Sequence, residues 1–253
     1  MRHVFATMGT VASIDIANDD ERMLPALERV FDEVDQRFSL YRPRSELRRI
    51  ADGQLTLTDA SDTLRASYAR ALGWRGLTDG HFSPHRPDGV VDLNGIVKAE
   101  AIEQAGRLLT NGGCRGWTIN VGGDILVDSA HGSGPIGITD PTDASALLCS
   151  VSLGALPTDT RRALATSGSA QRGDHIWLGG ELRPAPFVQV TVIADDIVTA
   201  DVLATAIVAG GTRALDQFTA HWDIDVLAVD RAGDLVATPG FRAGAGVAPS
   251  ALH

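Results

Sequence analysis

Features that would place a protein in or across a membrane are scarce in this sequence. Across its 253 residues, no apolar run approaches the roughly 18 residues that a transmembrane helix needs. The opening residues, MRHVFATMGTVASIDIANDD, carry charged and polar groups where a secretory peptide has a continuous apolar stretch. We therefore expect no membrane span and a cytoplasmic location.

Cysteine and net positive charge are scarce as well. Cys114 and Cys149 are the only cysteines, too few for a disulfide framework and without the second pair of a structural zinc site. The net charge of -10 and the pI near 5.0 argue against binding to nucleic-acid phosphates, which relies on a basic surface. We expect no nucleic-acid partner.

The common nucleotide-binding and hydrolase motifs are absent too. The glycines of GSGPIG have the spacing of a dinucleotide fingerprint, but the strand-like IGITDP follows where a helix would have to begin. An ordinary turn is the simpler interpretation. No phosphate-loop lysine motif, zinc histidine pair or nucleophile elbow occurs. Because no repeat or low-complexity linker divides the chain, we treat residues 1–253 as one domain.

The patterns that are present predict an α+β fold with mixed and largely antiparallel sheets and packed helices. Three helices are predicted: Leu24–Phe38 from its apolar stripe, one that Ser61 caps, and one from about Lys98 to Asn111. Ala232 and Gly233 separate two apolar runs, which indicates a hairpin near the end of the chain. The strand-like runs are His3–Ile16, Trp117–Val121, Leu147–Leu153, Phe187–Ala194 and Asp225–Val229.

Four short clusters combine small residues with side chains capable of chemistry. A glycine inside a strand, as at Gly9, allows close approach to the backbone, but taken alone it is better explained by a β-bulge. A helix entry that carries Lys98 offers amides and charge to an anion, whereas Asp92 and Asn94 could simply cap that helix. The clusters are Met8-Gly9-Thr10, DLNGIVK from Asp92 to Lys98, INVGGD from Ile119 to Asp124, and ATSGSAQRGDH at residues 165–175.

The last two clusters also allow either a ligand-binding or a purely structural interpretation. In INVGGD, two glycines beside Asp124 bring the backbone close to a ligand or form a tight hairpin. In ATSGSAQRGDH, Arg172 and His175 among hydroxyls suit phosphate binding and proton transfer, or else belong to an exposed loop.

A fifth segment, TADVLATAIVAGG, has the sharpest local geometry. Asp201 and Thr205 are four residues apart on a helix that Thr199 can cap, so both side chains lie on one face among alanines. A carboxylate and a hydroxyl are a plausible partial shell for Mg²⁺, which prefers oxygen ligands, water and substrate phosphates. The alternative is a carboxylate that the helix dipole stabilises beside a packed threonine.

Taken in order, these segments resemble the ApbE-type flavin transferase family over most of the chain. The resemblance rests on MGT, RFSLYRPRSELRRI, DLNGIVKAEAIEQAG, NVGGDI, ATSG with RGDHI, and VTVIADDIVTADVLATAIVAGG. It implies an ApbE-like fold and a site that binds FAD with Mg²⁺. The implied reaction transfers FMN from FAD to a threonine hydroxyl of an acceptor protein and releases AMP.

The resemblance also implies roles for individual residues. Asp201 and Thr205 match the metal ligands, and a backbone carbonyl near Val97 completes the shell. His175 matches the catalytic base, and its ordinary pKa near 6.5 suits that role at neutral pH. The positions that resemble flavin or phosphate contacts are Met8, Tyr41, Glu46, Asp92, Lys98, Asp124, Thr166 and Ser167.

Three departures from the family pattern keep two other functions open. After His175 the chain reads IWLGGELRP where the family usually has IIDP, and Ala51 stands where an asparagine is usual. The segment between Pro84 and Asp92 is much shorter than in typical members. The alternatives are a magnesium-dependent FAD pyrophosphatase that gives FMN and AMP, and a flavin-binding module without catalytic activity.

Overall fold

The computed structural model describes residues 2–17, 21–128, 134–153, 162–168 and 185–247. An eight-stranded sheet forms its centre, in the order β1-β2-β3-β4-β7-β8-β9-β10, and a smaller sheet has the order β11-β6-β5. Every neighbouring pair of these strands is antiparallel. The strands are β1 Arg2–Thr7, β2 Thr10–Ile16, β3 Trp117–Val121, β4 Asp124–Val127, β5 Ile136–Thr139, β6 Leu147–Val151, β7 Ala163–Gly168, β8 Phe187–Ala194, β9 Asp225–Asp230, β10 Leu235–Ala237 and β11 Ala245–Val247.

Helices pack against the large sheet, which confirms the α+β prediction. The longest, α5, lies on β7 and β8 and also contacts α4, while α4 contacts α1. Short 3₁₀ helices occur at Glu21–Met23 and Leu57–Asp59. The α-helices are α1 Leu24–Phe38, α2 Glu46–Ala51, α3 Asp62–Leu77, α4 Asn94–Asn111, α5 Ile197–His221 and α6 Pro239–Gly244.

The predicted helices are confirmed, with corrections at two starts. Helix α1 has the predicted bounds, and the Ser61 hydroxyl accepts the Leu64 amide at the start of α3. Helix α4 begins at Asn94, four residues before the predicted Lys98, because the chain already turns at DLNG. Thr199 is not the cap of α5: the Asp196 side chain accepts the Thr199 amide, and the helix begins at Ile197. Aspartate at this position satisfies amides that the helix leaves open.

The predicted first strand is two strands joined by a tight turn. Met8 and Gly9 have φ angles of 48° and 72°, so the run His3–Ile16 folds into the β1–β2 hairpin. Two positive φ values in succession are typical of a type I′ hairpin turn, and they rule out the β-bulge at Gly9. The glycine pair of INVGGD forms the β3–β4 hairpin, and Gly233 lies in the predicted hairpin between β9 and β10.

Helix α5 is long and largely apolar. By length and composition alone it could cross a membrane, which differs from the prediction that no segment could, yet 72% of its apolar window is buried inside the protein. The helix bends at Gly211, whose φ is 65°, and a side chain there would overlap the ring of Pro186. Its apolar residues therefore belong to the core between the sheet and the helices.

The large core joins residues from both ends of the described chain. Phe31 on α1, Trp117 on β3 and Phe218 on α5 are all buried in it. A smaller cluster, which includes Val127 and Phe241, fills the space between the two sheets. The assignment of residues 1–253 to a single domain remains a prediction.

Candidate active site

Two hairpin turns lie side by side at one end of the large sheet. The Gly122 amide donates to the Val11 carbonyl at 3.1 Å, just after the Met8–Gly9 turn. A Cβ on Gly122 would lie 2.8 Å from the Thr10 hydroxyl, so only glycine fits this approach. The sheet register thus brings together MGT and NVGGD, which are more than 100 residues apart in the sequence.

The next strands of the sheet carry Asp124 and Thr166 to the same end. Asn120 Oδ1 accepts the Gly123 amide at 3.0 Å, which fixes the turn before β4. Asp124 is fully buried, and its Oδ1 accepts the Thr166 amide at 3.3 Å. The Thr166 hydroxyl shares a hydrogen bond of 2.9 Å with the hydroxyl of Thr191 on β8. The ATSG segment therefore lies directly beside the NVGGD hairpin.

Helix α4 places an ammonium group between two buried carboxylates. Lys98 Nζ pairs directly with Asp124 Oδ2 and lies 3.8 Å from Asp201 Oδ2. The side chains of Lys98, Asp124 and Asp201 are 7%, 0% and 5% exposed. Counted over these three side chains, the cluster has a net charge of -1 in a place with little water.

Helix α5 presents its carboxylate and hydroxyl toward this cluster. Asp201 and Thr205 lie one helical turn apart on the same face of α5, as the spacing predicts. The Thr205 hydroxyl shares a hydrogen bond of 2.9 Å with the Ser167 hydroxyl on β7. Asp201 is buried, whereas Thr205 and Ser167 are half-buried at the edge of the cluster. Four segments of the sequence thus meet here through direct side-chain contacts.

The donor atoms suit a small hard cation. Asp201 supplies a carboxylate and Thr205 and Ser167 supply hydroxyls, and Mg²⁺ takes oxygen ligands while it keeps several waters. In the part of the chain that the structure describes, no group of three or more His, Cys, Asp and Glu residues forms a metal site. Val97 is buried on α4 next to Lys98, on the helix that packs against α5. The chemistry of this set fits Mg²⁺, with the ammonium of Lys98 as a neighbouring cation.

Asp92 lies at the entry to the helix that carries Lys98. Its Oδ1 accepts the Asn94 amide at 2.9 Å, and its own amide donates to the Pro84 carbonyl at 2.8 Å. The N-cap of α4 is Leu93, without a side-chain cap hydrogen bond, and Asn94 is the first helical residue, so the capping alternative for Asp92 and Asn94 is wrong. The Asp92 carboxylate stabilises the turn just before the helix and stays half-exposed. Its predicted contact with the flavin or its phosphates remains a prediction.

The remaining predicted residues have other surroundings. Tyr41 is 91% exposed, whereas Glu46 accepts the Ser61 amide at 2.7 Å and lies 3.4 Å from Arg37. Among the described residues, neither forms a hydrogen bond or ion pair with Lys98 or Asp124. His175, the predicted base, lies outside the described residues, so its role remains a prediction.

A separate groove of about 580 Å³ lies away from the cluster. Thr199, which lines it, precedes Asp201 by two residues and so faces a different side of α5. None of the predicted site residues lines this open groove. Two hydroxyl pairs were not predictable from the sequence. Thr166 meets Thr191 only because β7 and β8 pair, and Ser167 meets Thr205 only because α5 packs on β7.

Comparisons with known proteins agree with this fold. The model of the ApbE family matches residues 8–87 and 84–228. The flavin transferase ApbE from Vibrio cholerae is 24% identical with a TM-score of 0.73, over 96% of this chain and 98% of that one. The ApbE protein from Thermotoga maritima is 18% identical with a TM-score of 0.75, over 96% and 98%. The flavinyl transferase ApbE from Pseudomonas stutzeri is 17% identical with a TM-score of 0.75, over 97% of both chains. No curated protein matches the chain.

Proposed function

The chain belongs to the ApbE family, and on that premise we propose that it transfers FMN from FAD to a threonine hydroxyl of an acceptor protein in a magnesium-dependent reaction. Two of the similar structures are named flavin or flavinyl transferases, which supports the class of reaction. FAD is the donor substrate, and a second protein is the acceptor.

One observation carries this proposal: four segments of the family pattern meet in one polar cluster whose charged side chains are buried. Lys98 from DLNGIVK pairs with Asp124 from NVGGDI, and Ser167 from ATSG bonds Thr205 from ADVLATA. These segments also pack apolar residues, but a fold alone does not require buried charge at their junction. Buried ionic groups are costly to desolvate, so their concentration at one point supports a functional role.

The proposed reaction replaces the phosphoanhydride bond of FAD with a phosphoester bond to threonine. The threonine oxygen forms a bond to the FMN phosphorus, the bond from that phosphorus to the bridging pyrophosphate oxygen breaks, and AMP leaves with the bonding electrons. The hydroxyl proton passes to the imidazole of His175, which is a base at neutral pH. Such a reaction depends on positioning and on neutralising phosphate charge more than on covalent chemistry by the protein.

The metal would be held by Asp201, Thr205 and the backbone carbonyl of Val97. When bound there, Mg²⁺ supplies neutralisation of the pyrophosphate charge and favours departure of AMP. Asp201 brings the negative charge that attracts the ion, and Ser167 orients the Thr205 hydroxyl through their shared hydrogen bond.

The other family positions would bind and orient FAD. In this proposal Met8, at the hairpin turn, packs against the flavin, and the buried Asp124 holds the Thr166 amide and Lys98 in place. Tyr41 is exposed and free to close over a ligand. The complete proposed set of contacts is Met8, Tyr41, Glu46, Asp92, Lys98, Asp124, Thr166 and Ser167.

A cytoplasmic location is part of the proposal, and the acceptor would then be a cytoplasmic protein or domain. Fractionation of the native cells tests the location directly. Recovery of the protein outside the cytoplasmic membrane would contradict it.

Product analysis tests the reaction. The purified protein is incubated with FAD and Mg²⁺, with and without a protein fraction from the native cells, and AMP, FMN and protein-bound flavin are measured. We expect AMP together with a flavin-fluorescent band that survives denaturing electrophoresis. Free FMN with AMP would show an FAD pyrophosphatase instead, and unchanged FAD with bound flavin would show a binding module.

A further inference from the structure

Lys98 is unusual in the sequence and in the fold. It is the only lysine among the 22 lysine and arginine residues of the chain. Its side chain is only 7% exposed, whereas lysine is among the residues least often buried. Arginine is used at every other position that carries a permanent positive charge, so a lysine in this position calls for a specific explanation.

The ammonium group is held unequally by its two carboxylates. Lys98 Nζ contacts Asp124 Oδ2 directly, but its distance to Asp201 Oδ2 is 3.8 Å, beyond the range of a hydrogen bond. Lys98 therefore balances the charge of Asp201 through space while it stays ion-paired with Asp124. Release of Asp201 to another cation would leave the pair of Lys98 and Asp124 in place.

The charges of these side chains indicate how Lys98 affects the binding of a cation to Asp201. Counted over these three described side chains alone, the net charge is -1, and the carboxylate of Asp201 attracts a metal cation. At the same time the ammonium repels any cation that binds Asp201, since charges a few ångströms apart interact strongly even at an effective dielectric constant of about 20. Lys98 thus stabilises the metal-free site and competes with the metal for Asp201.

We propose that Lys98 is a positioning residue that acts as the resident counter-ion of Asp201, and that Mg²⁺ binding transfers Asp201 from Lys98 to the metal. This inference rests on the proposed metal site and goes beyond it, because it assigns Lys98 a negative effect on metal affinity.

Calorimetric titration with Mg²⁺ alone, without FAD, tests the sign of this effect. Lys98→Met removes the charge but keeps an unbranched side chain, and we expect Mg²⁺ to bind at least about tenfold more tightly than to the wild type. Asp124→Asn leaves the whole ammonium charge opposite Asp201, and we expect binding at least about tenfold weaker. Asp201→Asn sets the baseline for binding elsewhere on the protein.

The double variant Lys98→Met/Asp124→Asn covers the case in which Lys98→Met does not fold. It has the same net cluster charge of -1 as the wild type but no ammonium beside Asp201. We expect its Mg²⁺ affinity to exceed that of the wild type. Equal or weaker binding by the double variant would overturn the proposal.

A second measurement uses the single lysine. Protein labelled with ¹⁵N-lysine has one side-chain ammonium signal, from Lys98, and we expect Mg²⁺ to shift it with the dissociation constant that calorimetry gives. If Mg²⁺ binds through Asp201 but leaves this signal unchanged, the counter-ion role is wrong while the metal site stands. If the wild type takes up no more Mg²⁺ than Asp201→Asn, with FAD or without it, the proposed metal site and this inference both fail.

Discussion

Helix α4 carries two ionic clusters, and they differ in almost every physical respect. On its inner side Lys98 meets Asp124 and Asp201, all at least nine-tenths buried. On its outer side Glu100 and Glu103 pair with Arg70 of α3 at 3.5 and 3.1 Å, and these side chains are 17%, 24% and 39% exposed. The inner cluster has one cation for two carboxylates. The outer one gains a second cation, because Arg107 also pairs with Glu103.

The difference shows what each cluster contributes. Exposed pairs are screened by water and contribute about 0–1 kcal/mol to stability. Buried pairs are costly to desolvate, and losing one partner leaves a charge without compensation. The outer cluster therefore resembles ordinary packing of two helices, while the inner one is retained at a cost and fits a site that binds a cation.

The pKa values of the outer carboxylates show how finely that cluster is balanced. Burial raises the pKa of Glu100, although Ser67 and Arg70 act in the opposite direction. Burial also acts to raise the pKa of Glu103, but its hydrogen bond with Arg70 and the charges of Arg70 and Arg107 hold that pKa below its ordinary value. Two neighbouring glutamates on one helix thus shift in opposite directions.

Removal of Asp201 should have the largest effect on the inner cluster. Loss of a metal ligand removes several kcal/mol of charge stabilisation, so we expect Asp201→Ala to slow FMN transfer by at least about 10⁴-fold. The fold should persist, since Lys98 still pairs with Asp124. Asp216→Ala, at an exposed position on the same helix, is the matched control. Unchanged Mg²⁺ affinity of the FAD complex in Asp201→Ala would show that Asp201 is not a ligand.

The two clusters should also differ in how much they contribute to the stability of the fold. We expect Lys98→Met to lower the free energy of unfolding by about 3–5 kcal/mol, because two buried carboxylates lose their cation. Arg70→Met on the outer side should cost no more than about 1 kcal/mol. Urea denaturation of the metal-free proteins measures both values. Similar losses for the two variants would contradict the distinction between the clusters.

The hydroxyl pair between β7 and α5 should give a smaller effect. Thr205→Val keeps the shape of the side chain but loses the bond to Ser167 and the proposed metal ligand, and we expect a decrease in transfer rate of about 10- to 100-fold. The loss of stability should be only about 1 kcal/mol. Thr205→Ser restores the hydroxyl and should recover most of the rate. A serine variant as slow as the valine variant would point to a packing role.

The smallest effect concerns pH and the outer glutamates. Because the pKa of Glu100 is raised on folding, its ionised form disfavours the folded state once the pH rises above the ordinary value of 4.5. Relative to the wild type, Glu100→Gln should therefore gain stability between pH 4 and pH 7, by less than about 1 kcal/mol.

Glu103→Gln is the control with the opposite sign. The pKa of Glu103 is lowered on folding, so its ionised form stabilises the protein near neutral pH and loses that contribution as the pH falls. Urea denaturation at pH 4 and pH 7 compares both variants with the wild type. The same trend in both variants would contradict the assigned shifts.

Much of the secondary structure was predictable because its causes are local. The apolar spacing of α1 and the hydroxyl cap at Ser61 act within a few residues, and both predictions are confirmed. The hairpin at Met8–Gly9 was missed because strand-like residues lie on both sides of it and a glycine inside a strand also fits a bulge, so only the backbone angles reveal the turn. The cap of α5 was placed at Thr199, three residues late, since Asp196 and Thr199 are both good capping residues.

The candidate site was predictable as a set of motifs but not as an arrangement. Spacing alone placed Asp201 and Thr205 on one face of a helix, and the order of the motifs indicated the ApbE family, which the family match confirms. The partner of each polar group was not predictable, because Ser167 and Thr205 come from segments 38 residues apart.

The sequence by itself determined the helical periods, the glycine turns, the order of the family motifs and the single lysine, all of which depend on neighbouring residues or on the chain as written. Only the tertiary structure decided that Lys98 lies between two carboxylates, with Asp124 in direct contact and Asp201 at 3.8 Å. The reason is physical: the energy of a buried charge depends on distance, burial and opposing charges from α4, β4 and α5, and none of these is set until the three elements pack together.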